Sequence, residues 1–306
     1  MSVAALLAAP SARGLFHKAI LQSGAGHIAR APDHAARVAA AFRRHLDGDP
    51  MSAPAAAILK AQAAVIDEVD NQRDPNRLGS MPFQPCVDGA VLPRRPIDAI
   101  RAGAAAGIPV LCGTTTEEWK LWTALDPKFH TMDADKLERW AERMFGEHAA
   151  ALLQAEQYGS PYERYVAMQT DRAFREPALR AMAAQAAHAE VFDYVFDWRS
   201  PLFDGAFGAC HALDLAFVFG THRTPKADAF FGSGPEADAL AAAMMAAWTS
   251  FAETGRPRIP GADPWPRWSP DTPIAMVLGG DSRAAHPARF DLERAWHALP
   301  DALVGP

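Results

Sequence analysis

Short apolar runs separated by long helix-forming stretches constrain this chain more than any other feature. Lys18-Ala-Ile-Leu-Gln-Ser23 closes on Gly24 and Gly26, and Ile108-Pro-Val-Leu-Cys112 closes on Gly113. Val191-Phe-Asp-Tyr-Val-Phe196 is β-branched and aromatic around one aspartate. Runs this short, bounded by glycine or polar residues, suit buried strands. The intervening pattern predicts helices over 33–46, 54–66, 96–106, 134–156 and 161–188, a last one over 236–254, and a short one over 3–9. Residues 274–278 are a further strand candidate. The stretch 67–96 carries Pro75, Pro82, Pro85, Pro93 and Pro96 and reads as an ordered connection, because each proline fixes φ and removes a donor. Strands alternating with helices predict an α/β fold with a parallel sheet. Ligands of such sheets sit at the carboxyl ends of the strands. Two polar loops end strands in that way: the one holding Glu117 and Glu118, and the one around His211.

Composition narrows the function classes. Hydrophobic residues make up 49% of the 306, enough to offset the entropy of ordering a core. The net charge is −6, and Arg43-Arg44 and Arg94-Arg95 are isolated pairs, so no basic stripe for nucleic acid is present. No apolar run reaches the roughly 18 residues that span a bilayer, so no transmembrane segment is expected. The first ten residues lack the charged start of a signal peptide and read as a helix of the folded domain. Cys86, Cys112 and Cys210 show no C-x-x-C spacing and read as buried thiols. No phosphate loop, dinucleotide fingerprint or metal-ligand spacing occurs, so neither cofactor nor metal is expected.

On its own, His211 in an apolar stretch reads as a packed core residue, and Glu117-Glu118 as a surface acidic pair. Their order changes the weighing. An acid after one strand followed by a later histidine is the chain order Ser…Asp/Glu…His of a hydrolase triad. Cys210 adjoins His211, but neighbours in extended chain point apart, so packing is the simpler reading. Trp119 and Trp122 lie at one-turn spacing after Glu118, where a pocket lining and core packing are both open.

Several segments together resemble the type-B carboxylesterase family. Met1-Ser-Val through Leu6-Leu-Ala-Ala-Pro10, followed by Gly14-Leu-Phe-His-Lys-Ala-Ile-Leu-Gln-Ser-Gly24, resembles the segment directly after the family's nucleophile elbow. Phe83-Gln-Pro-Cys-Val-Asp-Gly89 resembles its F-x-P-x-x-D-G, and Val110-Leu-Cys-Gly-Thr-Thr-Thr-Glu-Glu118 its G-T-x-x-D/E-E. Tyr194-Val-Phe-Asp-Trp198, Gly208-Ala-Cys-His211 and Phe217-Val-Phe-Gly220 resemble the strand and loop of the triad histidine. Trp248-Thr-Ser-Phe-Ala-Glu-Thr-Gly-Arg-Pro257 resembles the family's last helix and its stop. The resemblance implies an α/β-hydrolase fold over 1–306 with a helical insertion at 134–188, and a small-molecule carboxylic ester as substrate. It implies Glu118 as triad acid, with Glu117 as the alternative, and His211 as base.

One departure stands out. No serine of the chain has glycine both two before and two after it, so the G-x-S-x-G elbow is absent. In the family, G-E-S-A-G comes a few residues before the segment matched at Met1. The chain is therefore expected to start just past the nucleophile, to lack the oxyanion hole, and to be inactive alone. Ser23 follows a strand without an elbow and is a poor substitute. Two other classes stay open: a non-catalytic binding or adhesion module, and a remnant without function.

Overall fold

The computed structural model describes residues 1–24, 26–70, 81–285 and 295–305. Its sheet runs in the order β1 (Ala19–Gln22), β2 (Val110–Thr115), β3 (Val191–Phe196), β4 (Ala275–Leu278) and β5 (Arg283–Ala285). The first four strands are parallel and β5 is antiparallel to β4. The register sets Leu21 opposite Cys112, and Cys112 opposite Asp193. Helices fill every parallel crossover, as that topology requires. Pro32–His45, Ala55–Asp70 and Pro96–Arg101 lie between β1 and β2, and Pro235–Thr254 lies between β3 and β4.

Side chains alternate across β3, and each face meets a different helix. Phe192, Tyr194 and Phe196 pack with Met244, Trp248 and Phe251 of Pro235–Thr254. Val191 shares the other core with Val110, Cys112, Ile97, and Leu179 and Met182 of the helix Glu176–Ala186. A third core joins Leu137, Trp140, Phe145, Leu152 and Met168 to Trp296 and Leu299. The helices Ala134–Phe145, Ala149–Ala155 and Pro161–Thr170 therefore pack around a centre of their own, whereas Glu176–Ala186 lies on the sheet.

The structure differs from the sequence reading at several places. β2 runs to Thr115, because Thr114 and Thr115 are β-branched and pair with Val195 and Phe196. The helix expected over 161–188 is broken by a π turn at Asp171–Arg175, and that over 134–156 by a 3₁₀ turn at Gly146–His148. The helix after Pro96 stops at Arg101, while the one from Ala55 continues to Asp70. β5 carries no apolar run to announce it. In the proline-rich connection, residues 71–80, Pro75 among them, lie outside the described residues.

Gly113 is where the β2–β3 pairing leaves no room for a side chain. A Cβ there would lie 2.3 Å from both the ring and the carbonyl oxygen of Tyr194. The carbonyl belongs to the ladder and cannot give way. Gly113→Ala is expected to lower stability by about 3 kcal/mol or more, at the upper end of overpacking costs. A urea midpoint equal to the parent's would show that the strands can separate here.

Asp301 fastens the C-terminal segment. Its carboxyl accepts from Arg101 Nη1 at 2.6 Å and Arg180 Nη1 at 2.7 Å, with the His27 ring at 3.2 Å. The hydrogen bonds from Arg101, Arg180 and His27 hold this carboxyl far below the usual carboxylate range. The folded pKa is thus below the unfolded value of about 3.9. The clasp's contribution is complete above that pH and is lost as pH falls below it. Asp301→Asn should lower the melting temperature at pH 7, with a gap from the parent that narrows below about pH 4. Melts at pH 7 and pH 3 check this.

Candidate active site

Three polar side chains meet at the carboxyl ends of β1, β2 and β3. Ser23 follows β1, its N–H donating to the Gly113 carbonyl at 3.0 Å. Glu118 lies on the tight turn after β2, and that turn folds its carboxylate back onto the strand end. Oε1 accepts the Thr115 N–H at 2.8 Å and the Ser23 hydroxyl at 2.5 Å, while Oε2 meets His211 Nδ1 at 2.6 Å. Glu118 is fully buried, and these three donors replace the water it has lost. A carboxylate only accepts, so Nδ1 of His211 donates to it, and in the neutral ring the lone pair then lies on Nε2. The imidazole side chain is 29% exposed, so it is reachable from outside the core.

The neighbouring loop is locked against the same turn. Glu117 N–H donates to the Ala209 carbonyl at 3.0 Å, the Ala209 N–H returns to Glu117 Oε2 at 3.0 Å, and His211 N–H donates to the Glu118 carbonyl at 3.2 Å. Glu117 also holds Lys120 at 2.6 Å and Arg199 at 2.8 Å. Glu118, the acid that the resemblance implied, touches the histidine, and Glu117, the alternative, fixes the loop that carries it. Gly208 (φ +52) makes that docking possible, since a Cβ there would lie 2.0 Å from Glu117 Oε2. Two non-glycine residues beside the site, Ser23 (φ +48) and Ala212 (φ +65), are held in left-handed backbone. Such strain persists only where the surroundings over-determine it.

Aromatic rings enclose the imidazole. Trp122 lies 5.2 Å from it and Phe174 4.9 Å, and these two stack on each other at 6.0 Å and 7°. Trp122 is 48% exposed, so one side of its ring is left uncovered. Trp119 instead packs against the helical core and is half-buried. Cys210 is fully buried, and burial pushes its thiol up to about 12, which leaves no thiolate to act. The Ser23 hydroxyl is spent on Glu118 rather than aimed at Nε2.

Sequence reading missed the residues behind this layer. Asp214, three positions past His211, accepts from Gln22 Nε2 at 2.8 Å and from the Tyr194 hydroxyl at 3.0 Å. Gln22 in turn accepts from Trp248 Nε1 at 3.1 Å. Burial, with Glu118 nearby, pushes the Asp214 carboxyl above its ordinary range. The signal was present: Asp214 is the single charge in an apolar stretch from Leu213 to Phe219. Among the described residues no group of three His, Cys, Asp or Glu is placed to hold a metal. No helix among them is long and apolar enough to cross a membrane.

A sequence model described as the carboxylesterase family matches residues 1–289. The chain is 34% identical over 289 residues to a para-nitrobenzyl esterase of Bacillus subtilis, covering 92% of this chain and 56% of that protein. It is 32% identical over 310 residues to a phenmedipham hydrolase of Pseudarthrobacter oxydans, covering 97% and 60%. Among solved structures it is similar to the Geobacillus stearothermophilus carboxylesterase EST55, with a TM-score of 0.78 and 32% identity over 96% of this chain and 61% of that one. The chain thus spans about 60% of the length of the relatives it matches. The shared architecture is the α/β-hydrolase fold, as the sequence resemblance implied.

Proposed function

The chain belongs to the carboxylesterase family, and on that premise we propose that it supplies the acid and base of a serine ester hydrolase. His211 is the general base and Glu118 the acid that orients it. The substrate is a small-molecule carboxylic ester, and the nucleophile is a serine on a G-x-S-x-G elbow outside these 306 residues. The observation that carries the reading is the 2.6 Å contact between His211 Nδ1 and Glu118, which leaves Nε2 as the free acceptor.

The chemistry follows from that geometry. Nε2 takes the serine proton as the serine oxygen attacks the ester carbonyl, and the imidazolium formed is stabilised across the Nδ1–H bond by Glu118. The proton then passes to the leaving alcohol, giving an acyl-serine. Water, deprotonated by the same Nε2, releases the acid and restores the serine. The half-exposed Trp122 supports an ester with a flat ring near the reacting carbonyl, a character shared with the para-nitrobenzyl group in the name of one relative. In the same reading the helical insertion expected at 134–188 is confined to residues 134–170, because Glu176–Ala186 packs on the sheet.

A nucleophile and an oxyanion hole are both needed. Loss of the serine alone costs about 10⁶ in rate. The 306 residues by themselves are therefore expected to leave p-nitrophenyl acetate at its buffer rate. A protein that joins them to an elbow-bearing segment should turn it over, with label from a fluorophosphonate on that serine. Turnover by the 306 residues alone, abolished by His211→Ala, would overturn the assignment of the nucleophile.

A further inference from the structure

The least expected group in the sheet is Asp193. It sits in the middle of β3, fully buried, on the face that it shares with Val191 and next to Cys112 in the register. Its two carboxylate oxygens are taken by Arg175, Nη1 at 3.0 Å and Nη2 at 2.8 Å, a two-pronged pair shielded from solvent. Arg175 is the last residue of the π turn Asp171–Arg175. A π turn adds one residue to a helical turn and re-aims its side chains, and such turns recur at functional sites. Here the residue just before Arg175 is Phe174, whose ring lies against the His211 imidazole. The start of the turn is tied as well, through the Thr170 hydroxyl that accepts the Trp119 N–H at 3.2 Å.

A buried ion pair is a poor device for stability. The desolvation of both charges cancels most of their attraction, and an apolar pair of similar volume serves a core at least as well. What an ion pair of this geometry does supply is one defined orientation, because the planar guanidinium fits the carboxylate in a single fork. We infer that Arg175 and Asp193 are positioning residues for His211: the pair anchors the π turn to β3 and so presses Phe174 against the imidazole, fixing the ring plane in which Nε2 is presented. Phe174 touches the base, and Arg175 and Asp193 act through it. Their catalytic meaning rests on His211 being the base, but the arrangement can be read on the imidazole itself without any turnover.

The test uses the full chain with isotopically labelled histidine, the His211 signals being assigned by their loss in His211→Ala. Packing against Phe174 and Trp122 displaces the His211 ring protons from the positions of an exposed histidine. The double variant Arg175→Met with Asp193→Val removes both charges together. The expected result is a melting temperature at or above the parent's, with the His211 ring signals moved toward exposed-histidine positions. Phe174→Leu, which leaves the ion pair intact, should move them in the same direction. Should the double variant not fold, Arg175→Lys decides, since it keeps the charge and loses the fork: the His211 signals should again move in a folded protein. Parent-like His211 signals in the folded double variant, or in Arg175→Lys, would overturn the inference and make the pair a packing element only. Failure of ester hydrolysis in the serine-bearing protein would overturn the functional reading while leaving these shifts unchanged.

Discussion

His211→Ala in the serine-bearing protein should lower kcat by about 10⁶, with KM little changed and the fold retained. The size follows from the way the groups act together. In the proposed mechanism, loss of Nε2 leaves no base for the serine proton and no acid for the leaving alcohol, so both halves of the reaction fail at once. The substitution deletes a ring that is 29% exposed and leaves the backbone bond from residue 211 to the Glu118 carbonyl in place. The stability cost is therefore small beside the loss in rate. It also strips one donor from the Glu118 carboxylate, which keeps the Thr115 N–H and the Ser23 hydroxyl. Steady-state kinetics with a p-nitrophenyl ester, beside a thermal melt, separates the two effects. A loss below about 10²-fold would mean that His211 does not carry the proton, because that is the low end of what general base catalysis supplies.

How far the site could be read from sequence depended on whether the cause was local. The strands of the site were legible because β-branched and aromatic residues cluster in short runs closed by glycine or polar residues, as at Val191–Phe196. The position of Glu118 and His211 at strand ends followed from that. The choice between Glu117 and Glu118 did not, because it depends on which way a tight turn throws each carboxylate, and both residues are identical in kind. The left-handed backbone at Ser23 and Ala212 left no mark, since neither is glycine. The π turn was equally silent: Asp171-Arg-Ala-Phe-Arg175 is ordinary helix-forming sequence, and the extra residue arises where Arg175 reaches Asp193 and Phe174 reaches His211. Asp193 itself was visible as a charge inside an apolar strand. Its partner lies 18 positions earlier, and no spacing rule joins them.

Glu118→Gln should cost about 10⁴ in kcat at nearly constant size, and the reason lies in proton bookkeeping. The carboxylate accepts at both oxygens, from Thr115 N–H and Ser23 at Oε1 and from His211 at Oε2. An amide has one accepting oxygen and one donating nitrogen. The oxygen side meets two donors, Thr115 N–H being a backbone group that cannot reverse, so the amide nitrogen faces His211. Nδ1 must then accept, the proton moves to Nε2, and the imidazole presents a donor where the serine needs an acceptor. The negative charge that stabilised the imidazolium is lost as well. Because the hydrogen-bond count is preserved, the melting temperature should fall by only a few degrees, whereas Glu118→Ala leaves three buried donors without their acceptor and should destabilise at about 1–3 kcal/mol for each. A variant with parent-like kcat at neutral pH would mean that the orientation of His211 is held by Phe174, Trp122 and the loop alone, with the acid dispensable.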